Sequence, residues 1–241
     1  MKPALTIIRP EPGWRASAEA AGALGIAVDG HPMFRVEAAE WEAPDPSDFD
    51  AILAGSANVF RHGGPQLKQL TSLRVHAVGR TTADAADNAG FPIAGIGSGG
   101  LQSMIDDFQT GSGAGTKRLL RLCGEERIAL SPPDGSTIEE RVLYRTVALP
   151  MERGLADRLA RGGIVALHSG AAAAHFRDRC LEARLDLSRI SVAALGPRIA
   201  AMAGPGWQSI HIPETPNDTA LLALIAPLCQ SARHAGHGQP Q

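Results

Sequence analysis

Short apolar runs, each closed by glycine, proline or a polar turn, recur along the chain with alanine-rich or polar stretches between them. Leu5–Ile8, Phe49–Ala54, Arg74–Val78, Pro92–Ile96, Leu119–Leu122, Gly163–Leu167, Ser191–Leu195 and Ser209–Ile212 read as strands. Helices are expected over Trp14–Leu24, Arg80–Asn88, Leu101–Phe108 and Glu152–Ala160, over an alanine-rich segment ending near Cys180, and over Asp218–Leu228, which Asn217 caps. Shorter helices follow Gly63-Gly64-Pro65 and Gly196-Pro197. Ile26–Val36 is extended, and Pro32 inside it makes it an edge strand or a connection. Thr110–Gly115 is a Gly/Ser turn, and Ser231–Gln241 a flexible polar tail. Strands alternating with helices predict parallel sheets covered by helices on both faces.

Arg141–Pro150 (RVLYRTVALP) has a further role. The strand period of two puts Val142, Tyr144, Thr146 and Ala148 on one face, with Leu143, Arg145, Val147 and Leu149 on the other. It lies between two similar halves. Phe49–Ser56 followed by a small-residue helix echoes Gly163–Ser169 followed by another, and Val75–Gly79 echoes Val192–Gly196. Repeated α/β units of this size imply two related lobes, with Arg141–Pro150 carrying the chain from one to the other. A cleft between lobes is the default ligand site.

Composition narrows the function. The 241 residues are 44% hydrophobic and 20% charged, with a net charge of −2. That is a globular protein with no basic field for nucleic acid or an anionic membrane. No apolar run approaches a membrane span of about 20 residues, and the N-terminus lacks a signal-peptide core. The expected location is the cytoplasm. Cys123, Cys180 and Cys229 are far apart and odd in number, so buried thiols are expected.

In parallel α/β sheets, ligands sit beyond the carboxyl ends of the strands. Those ends are Arg9-Pro10, Gly55-Ser56-Ala57-Asn58, Gly79-Arg80-Thr81-Thr82, Gly97-Ser98-Gly99-Gly100, His168-Ser169-Gly170 and Gly196-Pro197-Arg198. They are small or hydroxyl-bearing, and each opens a helix whose free N–H groups and dipole favour anions. Capping alone explains any one of them; their number on both lobes points to a polyanionic ligand. Gly95–Gly100 matches GxGxxG but follows a short strand that does not begin a βαβ unit, so it is weak as a dinucleotide site. No metal site is expected. His62, His76 and His168 are candidate acids or bases without visible partners.

Taken in order, TIIRPEPG (Thr6–Gly13), FDAILAGSAN (Phe49–Asn58), VHAVGRTTA (Val75–Ala83), Gly97–Gly100, VLYRTV (Val142–Val147), Ile164–Ser169 and Ala193–Pro197 resemble the uroporphyrinogen-III synthase family. Each piece is short; their order and spacing span nearly the whole chain. The resemblance implies two α/β lobes, each a parallel sheet flanked by helices, joined by a two-stranded ladder. Residues 1–35 with 150–241 would form a discontinuous outer lobe, 42–141 an inserted lobe, and 33–41 with 142–149 the connecting strands. It implies cyclisation of hydroxymethylbilane, with inversion of ring D and loss of water, and no cofactor. A transient contact with the upstream bilane-forming enzyme is consistent with that substrate. It puts Tyr144 in the catalytic role, as general acid for the departing hydroxyl. Arg9, Ser56, Ala57, Asn58, Thr82, Gly99, Gly100, Ser169, Gly196 and Pro197 become substrate-binding. Arg198-Ile199 departs from the family, which often places threonine there. Two other classes stand beside this one: a non-catalytic two-lobed binding or regulatory protein for a small polyanion, and a nucleotide-dependent enzyme using Gly95–Gly100.

Overall fold

A computed structural model of the chain describes residues 5–110, 117–132 and 134–234. The first half contains β1 (Leu5–Ile7), α1 (Gly13–Ala23), β2 (Val28–Gly30), β3 (Phe34–Ala38), β4 (Ala51–Ala54), α2 (Asn58–His62), β5 (Val75–Val78), α3 (Arg80–Asn88), β6 (Ile93–Gly97) and α4 (Leu101–Thr110). The second contains β7 (Arg118–Gly124), β8 (Thr137–Ala148), α5 (Arg153–Leu159), β9 (Gly163–Leu167), α6 (Gly170–Glu182), β10 (Ile190–Ala194), α7 (Pro197–Ala203), β11 (Ser209–His211) and α8 (Asp218–His234). The chain divides into two compact units, Met1–Arg35 with Ala148–Gln241, and Val36–Val147.

The first unit holds a five-stranded sheet in the order β11-β10-β9-β1-β2, every pair parallel. Its inner strands β9 and β10 are largely apolar at successive positions because both faces are covered. Ile164 and Ala166 of β9 join Leu5, Ile7 and Ala193 under Ala21 of α1 and Leu221, Leu222 and Ile225 of α8. The alternate residues Val165 and Leu167 pack with Val192 and Ala194 under α5, α6 and α7, where Phe176 stacks on Trp207 at 5.5 Å.

The second unit is built on a sheet ordered β3-β8-β7-β4-β5-β6. The pairs from β8 to β6 are parallel. The β3 edge runs antiparallel to the end of β8, with Ala39 N–H on Leu143 O and Leu149 N–H on Met33 O, so this sheet is mixed. Ile52, Ala54, Val75, Ala77, Leu120 and Leu122 pack against α2, α3 and the 3-10 turns of Pro65–Leu70. Ala51, Leu53 and Leu119 pack against Leu101, Met104 and Ile105 of α4.

Two expectations change. Strand β8 begins at Thr137, ahead of Arg141, because its first residues already pair with β7 from Arg118 onward. Helix α8 passes through Pro227 to His234, so residues 231–234 of the expected flexible tail are helical; 235–241 lie outside the described residues. Its apolar stripe continues beyond the proline to Cys229, which is 2% exposed, and that burial offsets the lost backbone hydrogen bond. Beyond Thr110, the last residue of α4, the expected Gly/Ser turn also lies outside the described residues. All three cysteines are buried and unbridged. Among the described residues no helix is long and apolar enough to cross a membrane, and no cluster of His, Cys, Asp or Glu is arranged to hold a metal ion.

Candidate functional site

Each sheet has one place where successive connections leave on opposite sides, and ligands favour the crevice beyond the carboxyl ends there. In the second unit β4 continues to β5 on one side, while the later strands β7 and β8 lie on the other. The switch point is therefore between β4, which ends before Gly55-Ser56, and β7, which ends at Gly124. Tyr144 is at this edge. The β7–β8 register slips between Cys123 and Gly124, pairing Cys123 with Val142 and Gly124 with Tyr144. Leu143 is the extra residue of the bulge. The slip breaks the expected alternation: Leu143, fully buried, and Tyr144, half-buried, pack against the same apolar cluster.

The Tyr144 ring lies directly on Gly124. A Cβ at position 124 would be 2.6 Å from Tyr144 Cζ and 2.9 Å from its hydroxyl oxygen, so only glycine admits the ring. The Tyr144 carbonyl accepts from Glu125 N–H at 2.9 Å, holding the backbone of the bulge. The ring of His62 of α2 is tilted against that of Tyr144, its centroid 6.4 Å away. Burial, reinforced by the charge of Arg61, pushes His62 below the ordinary histidine value, so it is uncharged at neutral pH. A phenol beside a neutral imidazole in a half-buried setting can donate a proton without a competing ion pair.

The other expected residues of this unit separate. Ser56 is partly buried, and its hydroxyl accepts from Asn58 N–H at 3.2 Å; Ala57 is buried and precedes α2. Helix α2 has five residues, too short for a substantial dipole. Thr82 is 4% exposed inside α3, closed to a ligand in this conformation, while its neighbour Thr81 lines a depression with Phe60, Arg61 and Asp84. Gly99 and Gly100 open α4, Gly100 with φ +95°, beyond the edge strand β6 and away from the switch point. That position also leaves Gly95–Gly100 unlike a dinucleotide turn, which follows a unit's first strand and opens its first helix.

In the first unit, Ser169, Gly196 and Pro197 come together. With Gly170, Arg198 and Met202 they line a depression of about 470 Å³ at the carboxyl ends of β9 and β10. Ser169 adopts an extended conformation and caps the 13-residue α6, its hydroxyl accepting from Ala172 N–H at 3.2 Å. The first-turn amides of Gly170 and Ala171, ahead of those that Ser169 satisfies, give this depression its anion-favouring end. Helix α7, with seven residues, contributes less.

Arg9 follows β1 and is one-third exposed. Its guanidinium donates to Ser17 Oγ at 3.2 Å and lies 3.9 Å from Asp218 Oδ2. Ser17 Oγ donates to the same carboxylate oxygen at 2.5 Å, and His168 Nε2 meets Oδ1 at 2.8 Å. Burial pushes the Asp218 carboxyl up, but hydrogen bonds from His168 and Ser17 and the charges of His168 and Arg9 outweigh it and hold the group below the ordinary aspartate value. The chain pattern showed His168 without partners. Asp218 is in a capped helix start and Ser17 in an alanine-rich helix, and neither carries a local signal for the other.

The family model described as uroporphyrinogen-III synthase HemD matches residues 16–223. No curated protein sequence matches the chain significantly. Among solved structures, uroporphyrinogen-III synthetase from Helicobacter pylori superposes with a TM-score of 0.64 at 16% identity, covering 95% of this chain and 100% of that one. A mutant uroporphyrinogen III synthase from Thermus thermophilus gives a TM-score of 0.49 at 16% identity over 95% of this chain and 98% of that one. The Helicobacter likeness is one of fold. The family match extends over most of the sequence, from within α1 to within α8, and the chain belongs to the uroporphyrinogen-III synthase family.

Proposed function

We propose that the chain performs its family's step of tetrapyrrole biosynthesis as a cofactor-independent carbon–oxygen lyase, with the Tyr144 phenol as proton donor. The observation that carries this is the seat of Tyr144: a half-buried phenol on Gly124, at the carboxyl edge beside the switch point of its sheet. The substrate is a small polycarboxylate, hydroxymethylbilane. Tyr144 gives its proton to the departing hydroxyl, which leaves as water. The electron-rich ring D attacks the resulting carbon through its substituted position, forming a spiro intermediate that reopens and closes with the ring inverted. The phenolate regains a proton when the last pyrrole recovers its aromaticity, so one water is the only loss. Chemistry on so reactive a pyrrole is easy; holding the chain in the inverting pose is the harder task, and positioning is the main source of rate.

Arg9, the first turn of α6 above Ser169 and the depression of Gly196 and Pro197 are the proposed carboxylate contacts in the first unit. The test uses freshly prepared hydroxymethylbilane, with the products oxidised and separated as isomers. The wild-type protein is expected to give isomer III, and Tyr144→Phe to slow its formation by about 10²-fold or more while product binding is retained. Predominance of isomer I, the spontaneous product, with wild-type protein would mean that the chain binds a polyanion without closing the ring. Undiminished turnover by Tyr144→Phe would remove the phenol from the mechanism.

A further inference from the structure

The switch point of the first unit lies between β1 and its neighbour β9, since β2 flanks β1 on one side and β9, β10 and β11 follow on the other. Ile7 pairs with Ala166, so Arg9 and His168 stand two residues beyond that pair on adjacent strands, at the crevice where such sheets take ligands. Two elements close over them: α1 brings Ser17, which is fully buried, and α8 brings Asp218 as its first residue. His168 has a side chain only 7% exposed, and its Nδ1 is buried with no hydrogen-bond partner. A carboxylate only accepts, so the ring donates from Nε2 to Asp218. On its other oxygen Asp218 holds Ser17, and Ser17 accepts from Arg9. The guanidinium also lies against Gly13, where a Cβ would collide with Arg9 Nε. Arg9 is thus fixed from three sides yet, among the described residues, donates one hydrogen bond of the five its fork can make.

We propose that His168 and Asp218 are positioning residues for Arg9, holding its guanidinium in the pose that receives a substrate carboxylate. This rests on the ring-closing reading above and on Arg9 as a carboxylate contact. A buried histidine whose one bonded nitrogen serves an aspartate, at the end of the sheet's central strand, has a local reason to be there only if that aspartate must be held. The bonds from Asp218 run to Ser17 and on to Arg9, the member of the group with donors to spare.

The test is a double-variant cycle in the full chain, with hydroxymethylbilane as substrate and isomer III as product. Arg9→Ala and His168→Leu are each expected to raise KM roughly tenfold, the worth of one charge-assisted contact. His168→Gln, which keeps a donor for Asp218, is expected to recover most of the loss. In the Arg9→Ala background, His168→Leu should add nothing further to KM, although its effect on melting temperature persists. A purely structural histidine would lower stability in both backgrounds and leave KM to Arg9 alone. Multiplying KM effects, or an unchanged KM in folded His168→Leu protein, would overturn the proposal. If the His168→Leu variant fails to fold, the same cycle run with Asp218→Asn decides it by the same criterion. Wild-type protein that yields only isomer I would instead overturn the ring-closing reading, and this inference with it.

Discussion

Gly124→Ala tests whether the seat of Tyr144 governs catalysis. The added Cβ would lie 2.6 Å from Cζ, 2.7 Å from Cε2 and 2.9 Å from the hydroxyl oxygen of Tyr144. Carbon atoms in good contact sit about 3.5–4.0 Å apart, so the ring must retreat by about 1 Å. Gly124 is not among the glycines at positive φ, so alanine meets no backbone strain and the collision is the whole perturbation. The obstructing atoms are the far end of a half-exposed side chain, which can swing away. The folding cost should be at the low end for overpacking, about 1 kcal/mol, or about 2–4 °C in melting temperature. Displacing a reacting group by about 1 Å costs about 10²-fold in rate. Isomer III formation in single-turnover conditions should therefore fall about 100-fold while calorimetry shows a nearly intact protein. Because the loss passes through the phenol, Gly124→Ala combined with Tyr144→Phe should be no slower than Tyr144→Phe alone. Wild-type turnover in Gly124→Ala, or losses that multiply in the double variant, would refute this reasoning.

Other variants probe the scaffold. Glu140→Gln removes the carboxylate that meets the 5%-exposed Arg121 at 2.7 Å, and should cost about 3 kcal/mol in denaturant unfolding, since a buried cation loses its partner. Burial raises the Glu140 pKa, but hydrogen bonds from Arg127 and Arg121 bring it below the ordinary glutamate value of 4.5. A depressed carboxyl contributes stability that is complete above its unfolded value and lost as pH falls through the folded one. The gap between wild type and Glu140→Gln should thus be constant above about pH 4.5 and narrow below it; a gap that widens on acidification would contradict the assignment. Burial pushes the Cys180 thiol up to about 12, so a thiol reagent at pH 8 should leave it unmodified until denaturant is added. Ile52→Ala, at a fully buried central-strand position, should cost about 2–5 kcal/mol by chemical denaturation.

Local pattern was enough where one force dominates. Gly163–Leu167 and Arg80–Asn88 form elements with the bounds their apolar runs and glycine stops indicate, because burial on both faces and helix-breaking act within a few residues. Pattern failed where distant contacts decide. Glu139 and Glu140 look unlike strand residues, yet Glu140 is neutralised by Arg121 of β7 and by Arg127 in the loop after it, and the strand begins at Thr137. Periodicity gave Leu143 and Tyr144 opposite faces; a register slip that depends on Gly124 overrides it. At the candidate site, Ser169, Gly196 and Pro197 were legible as strand ends and Tyr144 as a residue within a strand, whereas Thr82 is buried by the turn of a helix whose facing only packing reveals. The Asp218 network joins residues from three separate segments, so no single window of sequence contains it.

The division of the chain also sets a timetable for its synthesis. Leu5 pairs with Ile164, and everything from Val36 to Val147 is made between them. Translation at about 5–20 residues per second leaves an interval on the order of ten seconds. During that time β1 can pair with β2, but its other edge waits for β9. Val36–Val147 is contiguous and emerges whole, so it can fold while the first 35 residues are still an incomplete sheet. The nascent β1 is then an apolar strand with one open edge, the kind of segment that recruits wrong partners. A rearranged gene that joins the present ends and opens the chain within 36–147 would deliver β9 and β1 together, and would move the burden of waiting to the other sheet.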